Sequence, residues 1–249
     1  MNFRLRAVGL HLAGSAVIAF VAWWLVFNLW YPEPLAVIAG GAELFALLMI
    51  VDLMLGPALT AVVANPRKAR GYLIRDIGVI LAIQIGALVY GLHIMAVARP
   101  VAIVFELDLF RVVAATEIEA DQLGLAPPAL QQLSWLGPVT LATIKPTESK
   151  ERLDILDLGL AGIHLAALPR YWRNYDDHAG LAWERAFPIT KVLKQQPNLK
   201  EEINKIAFRT RVEPAALRVL PLMARRAEGM VLLAPGGRVA GLLAATVPP

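Results

Sequence analysis

Val51-Asp52-Leu53-Met54-Leu55-Gly56-Pro57-Ala58-Leu59-Thr60 lies inside a long apolar run, yet it carries a carboxylate and, four residues on, a glycine followed by a proline. A carboxylate in hydrocarbon is costly unless it is neutralised or paired, which marks Asp52 as a residue with a job. Pro57 brings no N–H to the helix ladder and crowds the carbonyl of Leu53, so a kink is predicted there. The surrounding sequence decides whether this segment belongs to a soluble core or to a membrane anchor.

Working outward, the charge distribution settles the matter. The chain is 249 residues long and 57% apolar, above the range usual for soluble domains. Residues 1–98 hold only ten charged side chains, while 99–249 hold 34. Residues 7–32 and 77–98 carry no charge at all, and between them Leu35 to Ala64 is apolar apart from Glu43 and Asp52. A run of about 20 apolar residues crosses a hydrocarbon core about 30 Å thick. Three transmembrane helices over about 8–30, 38–63 and 77–98 are therefore expected, forming an N-terminal anchor (1–98) ahead of a separate domain (99–249). The Leu35–Ala64 run is longer than one span needs, so part of it is expected to tilt or lie at the interface. A cleavable leader is the alternative reading of the first span. Its exit, Asn28-Leu29-Trp30-Tyr31-Pro32, offers no small-x-small site, which favours an uncleaved anchor.

The six basic residues of the first part sit at the N-terminus and in the second loop, Asn65-Pro66-Arg67-Lys68-Ala69-Arg70 and onward to Arg75. By the positive-inside rule both are cytoplasmic, so three spans place 99–249 on the opposite side, which in a bacterium is the periplasm. Within the spans, Asp52, Gly56, Thr60 and Ala64 recur every four residues, as do Gly78, Ala82, Gly86 and Tyr90. Such stripes let helices approach closely, either among themselves or with a helix of another protein.

The second part reads as α+β. Val101–Phe105, Leu109–Ala114 and Gly137–Ile144 are β-branched or aromatic and predict strands, with Asp108 in a turn. Glu117–Leu123 is expected to be helical and to end at Ala126-Pro127-Pro128. Thr147–His164, capped by Thr147, shows Leu153, Leu156, Leu160 and Ile163 at helical spacing and predicts an amphipathic helix. A further helix is expected over Asn198–Phe208 with Asn198 as its cap, while Val212–Leu220 has no decisive pattern. Met230–Ala234 and Val239–Leu243 flank Pro235-Gly236-Gly237-Arg238 and predict a hairpin.

Catalytic signatures do not emerge. There is no cysteine, and His11, His93, His164 and His178 are scattered. Asp176-Asp177-His178 reads as a polar turn rather than a metal site, and no cofactor motif is recognised. Glu43 lies on the far side of its helix from Asp52 and makes no dyad with it. Near-balanced charge on an exported domain argues against nucleic acid. Pro169-Arg170-Tyr171-Trp172-Arg173-Asn174-Tyr175 concentrates aromatic and arginine side chains, which are either half-buried packing or a protein-binding patch. Asp52 has three readings: a pair or kink hydrogen bond inside the bundle, a contact with a polar group of a partner, or a role in proton or ion movement.

In chain order, Trp30-Tyr31-Pro32, Asp52-x-x-Leu55-Gly56-Pro57-x-Leu59-Thr60, Tyr90-Gly91-Leu92, Arg99-Pro100, Phe105, Asp108 and Phe110, Gly137-Pro138, Pro169-Arg170-Tyr171 with Tyr175, and Pro221-Leu222 together resemble the type IV pilin accessory proteins of the TfpX/TfpZ kind. One departure is Leu109-Phe110-Arg111, where arginine is expected directly before the phenylalanine. The resemblance implies a non-enzymatic inner-membrane chaperone that stabilises the major type IV pilin before assembly. Its partners would be the lipid bilayer, the transmembrane helix of pilin and its globular head. On that reading Asp52, Gly56, Pro57 and Thr60 are candidates for contact with the pilin helix or for bundle structure, and Arg170, Tyr171, Trp172 and Tyr175 for contact with the head or for domain structure. A membrane-bound enzyme and a periplasmic sensor are the competing classes. The first lacks a paired acid and base, the second a cytoplasmic output domain.

Overall fold

The computed structural model describes residues 3–64, 67–146 and 148–245. The Asn65-Pro66 turn and the Thr147 cap expected from sequence lie outside the described residues.

The first span is α1 (Phe3–Leu25), continued by a π-helical turn over Val26–Trp30. A short helix α2 (Leu35–Ile38) follows. The second span is α3 (Gly41–Ile50), a π turn over Val51–Leu55 and α4 (Gly56–Val63). The third is α5 (Arg70–Val97). All three are long and apolar enough to cross a membrane. Their outward faces carry exposed Leu10, Val17, Phe20, Leu47, Val62, Ile83 and Val89, a surface that only hydrocarbon would solvate. The kink predicted at Pro57 takes the form of the π turn directly before it. Widening the helix over Val51–Leu55 removes the clash a proline ring makes with the carbonyl four residues back.

The second part is an eight-stranded mixed sheet flanked by helices. In chain order it consists of β1 (Pro100–Glu106), β2 (Leu109–Ala114), α6 (Ala120–Leu123), β3 (Val139–Thr143), α7 (Ser149–Leu160), β4 (Trp172–Asn174), α8 (Ala179–Arg185), β5 (Phe187–Pro188), α9 (Ile189–Gln195), α10 (Lys200–Thr210), β6 (Arg218–Met223), β7 (Glu228–Leu233) and β8 (Val239–Leu243). The strand order is β4-β3-β1-β2-β6-β7-β8, with β5 beside β6. β1 pairs antiparallel with β2 and parallel with β3, and β2 pairs parallel with β6. The expected strands at 101–105 and 109–114 and the C-terminal hairpin are present, and that expected over 137–144 forms over Val139–Thr143. The protein is thus a membrane protein with three N-terminal spans and an α+β domain.

Both faces of the sheet are covered, which is why its strands read as continuous apolar runs. One face turns Ile103, Phe105, Phe110, Val112, Leu220, Leu222, Val231 and Leu233 into a single core. The other is covered by α9 and α10 over Val219, Met230 and Leu232, and by Ala166 and Trp172 over Val104 and Leu141.

Three expectations are corrected. The helix over 117–123 is reduced to four residues, because Ile118 turns extended and inserts into the core beside Val113. The helix expected from Asn198 begins at Lys200, after a 3-10 turn over Pro197–Leu199, and Asn198 makes no side-chain cap. The amphipathic helix α7 forms, but its apolar stripe packs against no core: Leu153, Leu156 and Leu160 are 62%, 63% and 89% exposed. Leu156→Glu is accordingly expected to leave the thermal unfolding of the purified protein unchanged within about 0.5 kcal/mol.

Candidate functional site

Two regions organise the molecule, one in the middle of the bundle and one where the bundle meets the sheet.

Each span contributes polar groups to the first. His11 of α1 sits with Nδ1 2.6 Å from the hydroxyl of Thr60 in α4 and Nε2 2.7 Å from Oε1 of Gln84 in α5. The Gln84 amide nitrogen donates to the backbone carbonyl of Asp52 at 3.0 Å and to its carboxylate Oδ1 at 3.4 Å. With the Gln84 oxygen accepting, His11 Nε2 carries the hydrogen, and Nδ1 accepts from Thr60. The four side chains thus satisfy one another across all three helices, where lipid offers no partner. Gly56 makes the approach possible: a Cβ there would overlap the Gln84 carboxamide. The stripe Asp52, Gly56, Thr60 and Ala64 is buried, and so is Pro57. Of the two readings of this stripe, packing among the chain's own helices or against a helix of another protein, the structure has the first: the face is occupied by α1 and α5. The other small-residue stripe points the opposite way, with Gly78, Ala82, Gly86 and Tyr90 all exposed.

At the junction, Tyr31 is buried and donates from its hydroxyl to the Met95 carbonyl at 3.2 Å, tying the end of the first span to the end of the third. Arg99 is 4% exposed; it donates to Ala96 and Ser134 carbonyls at 2.7 and 3.1 Å and lies over the Trp135 ring. Leu35 and Ile38 of α2 do not join the span at all. Both are buried in the sheet core beside Phe105 and Leu222. The Ile38 carbonyl accepts from the backbone N–H groups of Arg226 and Ala227 in the β6–β7 turn, and Arg226 pairs with Glu43 at the start of α3. This is where the excess length of the second apolar run goes.

The aromatic segment before α8 is interior. Trp172 is 2% exposed and donates from its indole N–H to Ala166 at 2.8 Å. Tyr175 packs against Phe105 and Phe110 and donates to the Gly237 carbonyl at 2.5 Å. Burial pushes its phenol well above the ordinary value, so the hydroxyl remains a donor. Gly237 has φ +87 and backs directly onto the Ala179 backbone, a position closed to any Cβ. Tyr171 is also buried, and Arg170 is the exposed member of the four candidates. Tyr175→Phe is expected to cost about 1–3 kcal/mol, the penalty of leaving the buried Gly237 carbonyl unpaired, read as a lower unfolding temperature.

Asp176-Asp177-His178 forms a 3-10 turn ahead of α8, and among the described residues no group of three His, Cys, Asp or Glu is placed to hold a metal ion. His11 and Gln84 were the residues that sequence reasoning missed. Their signal was present: His11, Asp52 and Gln84 each put a polar side chain inside a span, where hydrocarbon would not tolerate it alone.

These features define a class: a membrane-spanning protein whose α+β domain is fixed to one end of a three-helix bundle. The family model described as fimbrial assembly protein FimB matches residues 1–40. A fimbrial assembly protein of serogroup E1 from Dichelobacter nodosus is 33% identical over 237 residues, covering 93% of this chain and 91% of the relative. The serogroup I protein of the same organism is 32% identical over the same coverage. That of serogroups C1 and C2 is 38% identical over 124 residues, 50% of this chain and 95% of the relative. No solved structure gives a significant match. The chain belongs to the fimbrial assembly protein family, and the resemblance to type IV pilus accessory proteins is borne out.

Proposed function

We propose that this protein works in pilus assembly as an inner-membrane chaperone. It holds the major type IV pilin before polymerisation, with the N-terminus in the cytoplasm and the sheet domain in the periplasm. The observation that carries the reading is the junction. Leu35, Ile38 and the Arg226–Glu43 pair fasten a folded domain to the mouth of a helical bundle, so one body presents a surface in the membrane and another outside it. A pilin offers the complementary pair, an apolar helix in the bilayer and a globular head beyond it. The basic residues at the N-terminus and around Arg67–Arg75 support the orientation. Membership in a fimbrial assembly family supports a non-enzymatic role.

Within this reading Asp52, Gly56, Pro57 and Thr60 act by fixing the shape of the bundle, and Tyr171, Trp172 and Tyr175 by fixing the domain. Arg170 remains a candidate for contact with the pilin head. Deleting the gene is expected to lower pilin abundance and abolish surface pili, with both restored by the full chain. Normal pilin levels and normal piliation in the deletion strain would refute the proposal.

A further inference from the structure

Where the bundle meets the sheet there is a cleft of 290 Å³ whose walls come from both parts: Tyr31, Glu43 and Leu44 from the anchor side, Glu117, Arg225 and Arg226 from the domain. It adjoins a second cavity of 340 Å³, with which it shares Val112, Glu117 and Arg225. The first span ends at Trp30, the second begins at Gly41 and the third ends at Val97, so the cleft lies at the level of lipid headgroups. Its charges are of both signs. Arg226 is held by Glu43, and Arg111, in the adjoining cavity, by Glu106 at 3.2 Å. Arg225 and Glu117 sense each other electrostatically and have no hydrogen bond joining them among the described residues. Partial desolvation lifts the Glu117 carboxyl above its ordinary value against the opposing pull of its own hydrogen bond from the Ala114 N–H and of Arg225 and Arg111, so this group gains from an arriving cation. Directly below, Leu44, Leu47, Val51 and Leu55 form one exposed face of the second span, a continuous apolar ridge running from the cleft into the membrane.

We infer that this junction binds one phospholipid whose headgroup carries both a phosphate and a free ammonium. The phosphate sits on Arg225, the ammonium on Glu117, with Glu43 across the cleft already held by Arg226, and an acyl chain along the Leu44–Leu55 ridge. A purely anionic headgroup leaves the Glu117 carboxylate facing a phosphate with no ammonium between them. A choline headgroup presents methyl groups where the carboxylate accepts hydrogen bonds.

The test uses the purified full-length protein, delipidated in mild detergent, re-exposed in turn to phosphatidylethanolamine, phosphatidylglycerol and phosphatidylcholine, and read by native mass spectrometry. One phosphatidylethanolamine is expected to be retained in preference to the other two. Arg225→Gln and Glu117→Gln are each expected to weaken retention roughly tenfold, the loss of one charge-assisted contact. Arg238→Gln, on an exposed loop, serves as the control and is expected to retain the lipid. Because Arg225 and Glu117 are exposed side chains, unfolding temperatures matching the wild type are expected for both variants. Equal retention of phosphatidylglycerol, or undiminished retention by folded Arg225→Gln and Glu117→Gln, would overturn the inference.

Discussion

Replacing Ile38 by aspartate is expected to unfold the sheet domain, whereas the same change at the adjacent Val37 is expected to be nearly silent. Ile38 is 1% exposed among Leu35, Phe105 and Leu222, while Val37 is 56% exposed. The variant forfeits about 2 kcal/mol of apolar burial and adds an unpaired carboxylate in a dry core, a cost of several kcal/mol more. That total is comparable with the whole stability of an ordinary domain, on the order of 5–15 kcal/mol. Limited proteolysis in detergent reads the outcome. Ile38→Asp should expose sites throughout 99–249, and Val37→Asp should cleave like the wild type. Equal resistance in both would mean that α2 is not part of the domain core.

The second large effect is expected at Gly56. A leucine there must displace the Gln84 carboxamide, since even its first side-chain carbon has no room. Overpacking costs about 1–3 kcal/mol, and the groups left without the Gln84 partner, His11 Nε2 and Asp52, add about 1–3 kcal/mol each where water does not reach. The bundle is therefore expected to come apart, seen as loss of a cross-link between cysteines introduced on α1 and α5. Gly86→Leu, on the outward face of α5, is the matched control and should keep the cross-link. If Gly56→Leu also kept it, the polar network would not be what joins the spans.

The sequence carried the anchor and much of the sheet plainly, because long charge-free runs and β-branched stretches are local signals. What escaped it was non-local. Leu35–Ile38 looked like surplus length of a span, since nothing nearby shows that its partners are Phe105 and Leu222. β6 had no decisive pattern over Val212–Leu220, and it carries Pro221. The strand tolerates it because the β2 ladder engages Leu222 and Met223, just beyond the proline. For α7 the periodicity gave the right element and the wrong environment, as pattern alone does not supply a partner surface. In the candidate site, Asp52, Gly56 and Thr60 were legible as a stripe, but His11 and Gln84 come from spans far apart in sequence and only packing unites them. The aromatic segment Tyr171–Tyr175 has the composition of an interface and the burial of a core. Composition alone does not distinguish the two.

The most direct measurement is co-purification of pilin with the tagged full-length protein from membranes of a strain in which filament assembly is blocked, so that pilin remains in the bilayer. A chaperone that holds pilin before polymerisation should bring it down in detergent, and the folded wild-type protein should do so without any other pilus component. Recovery of the intact, folded protein from pilin-rich membranes with no pilin attached would contradict it.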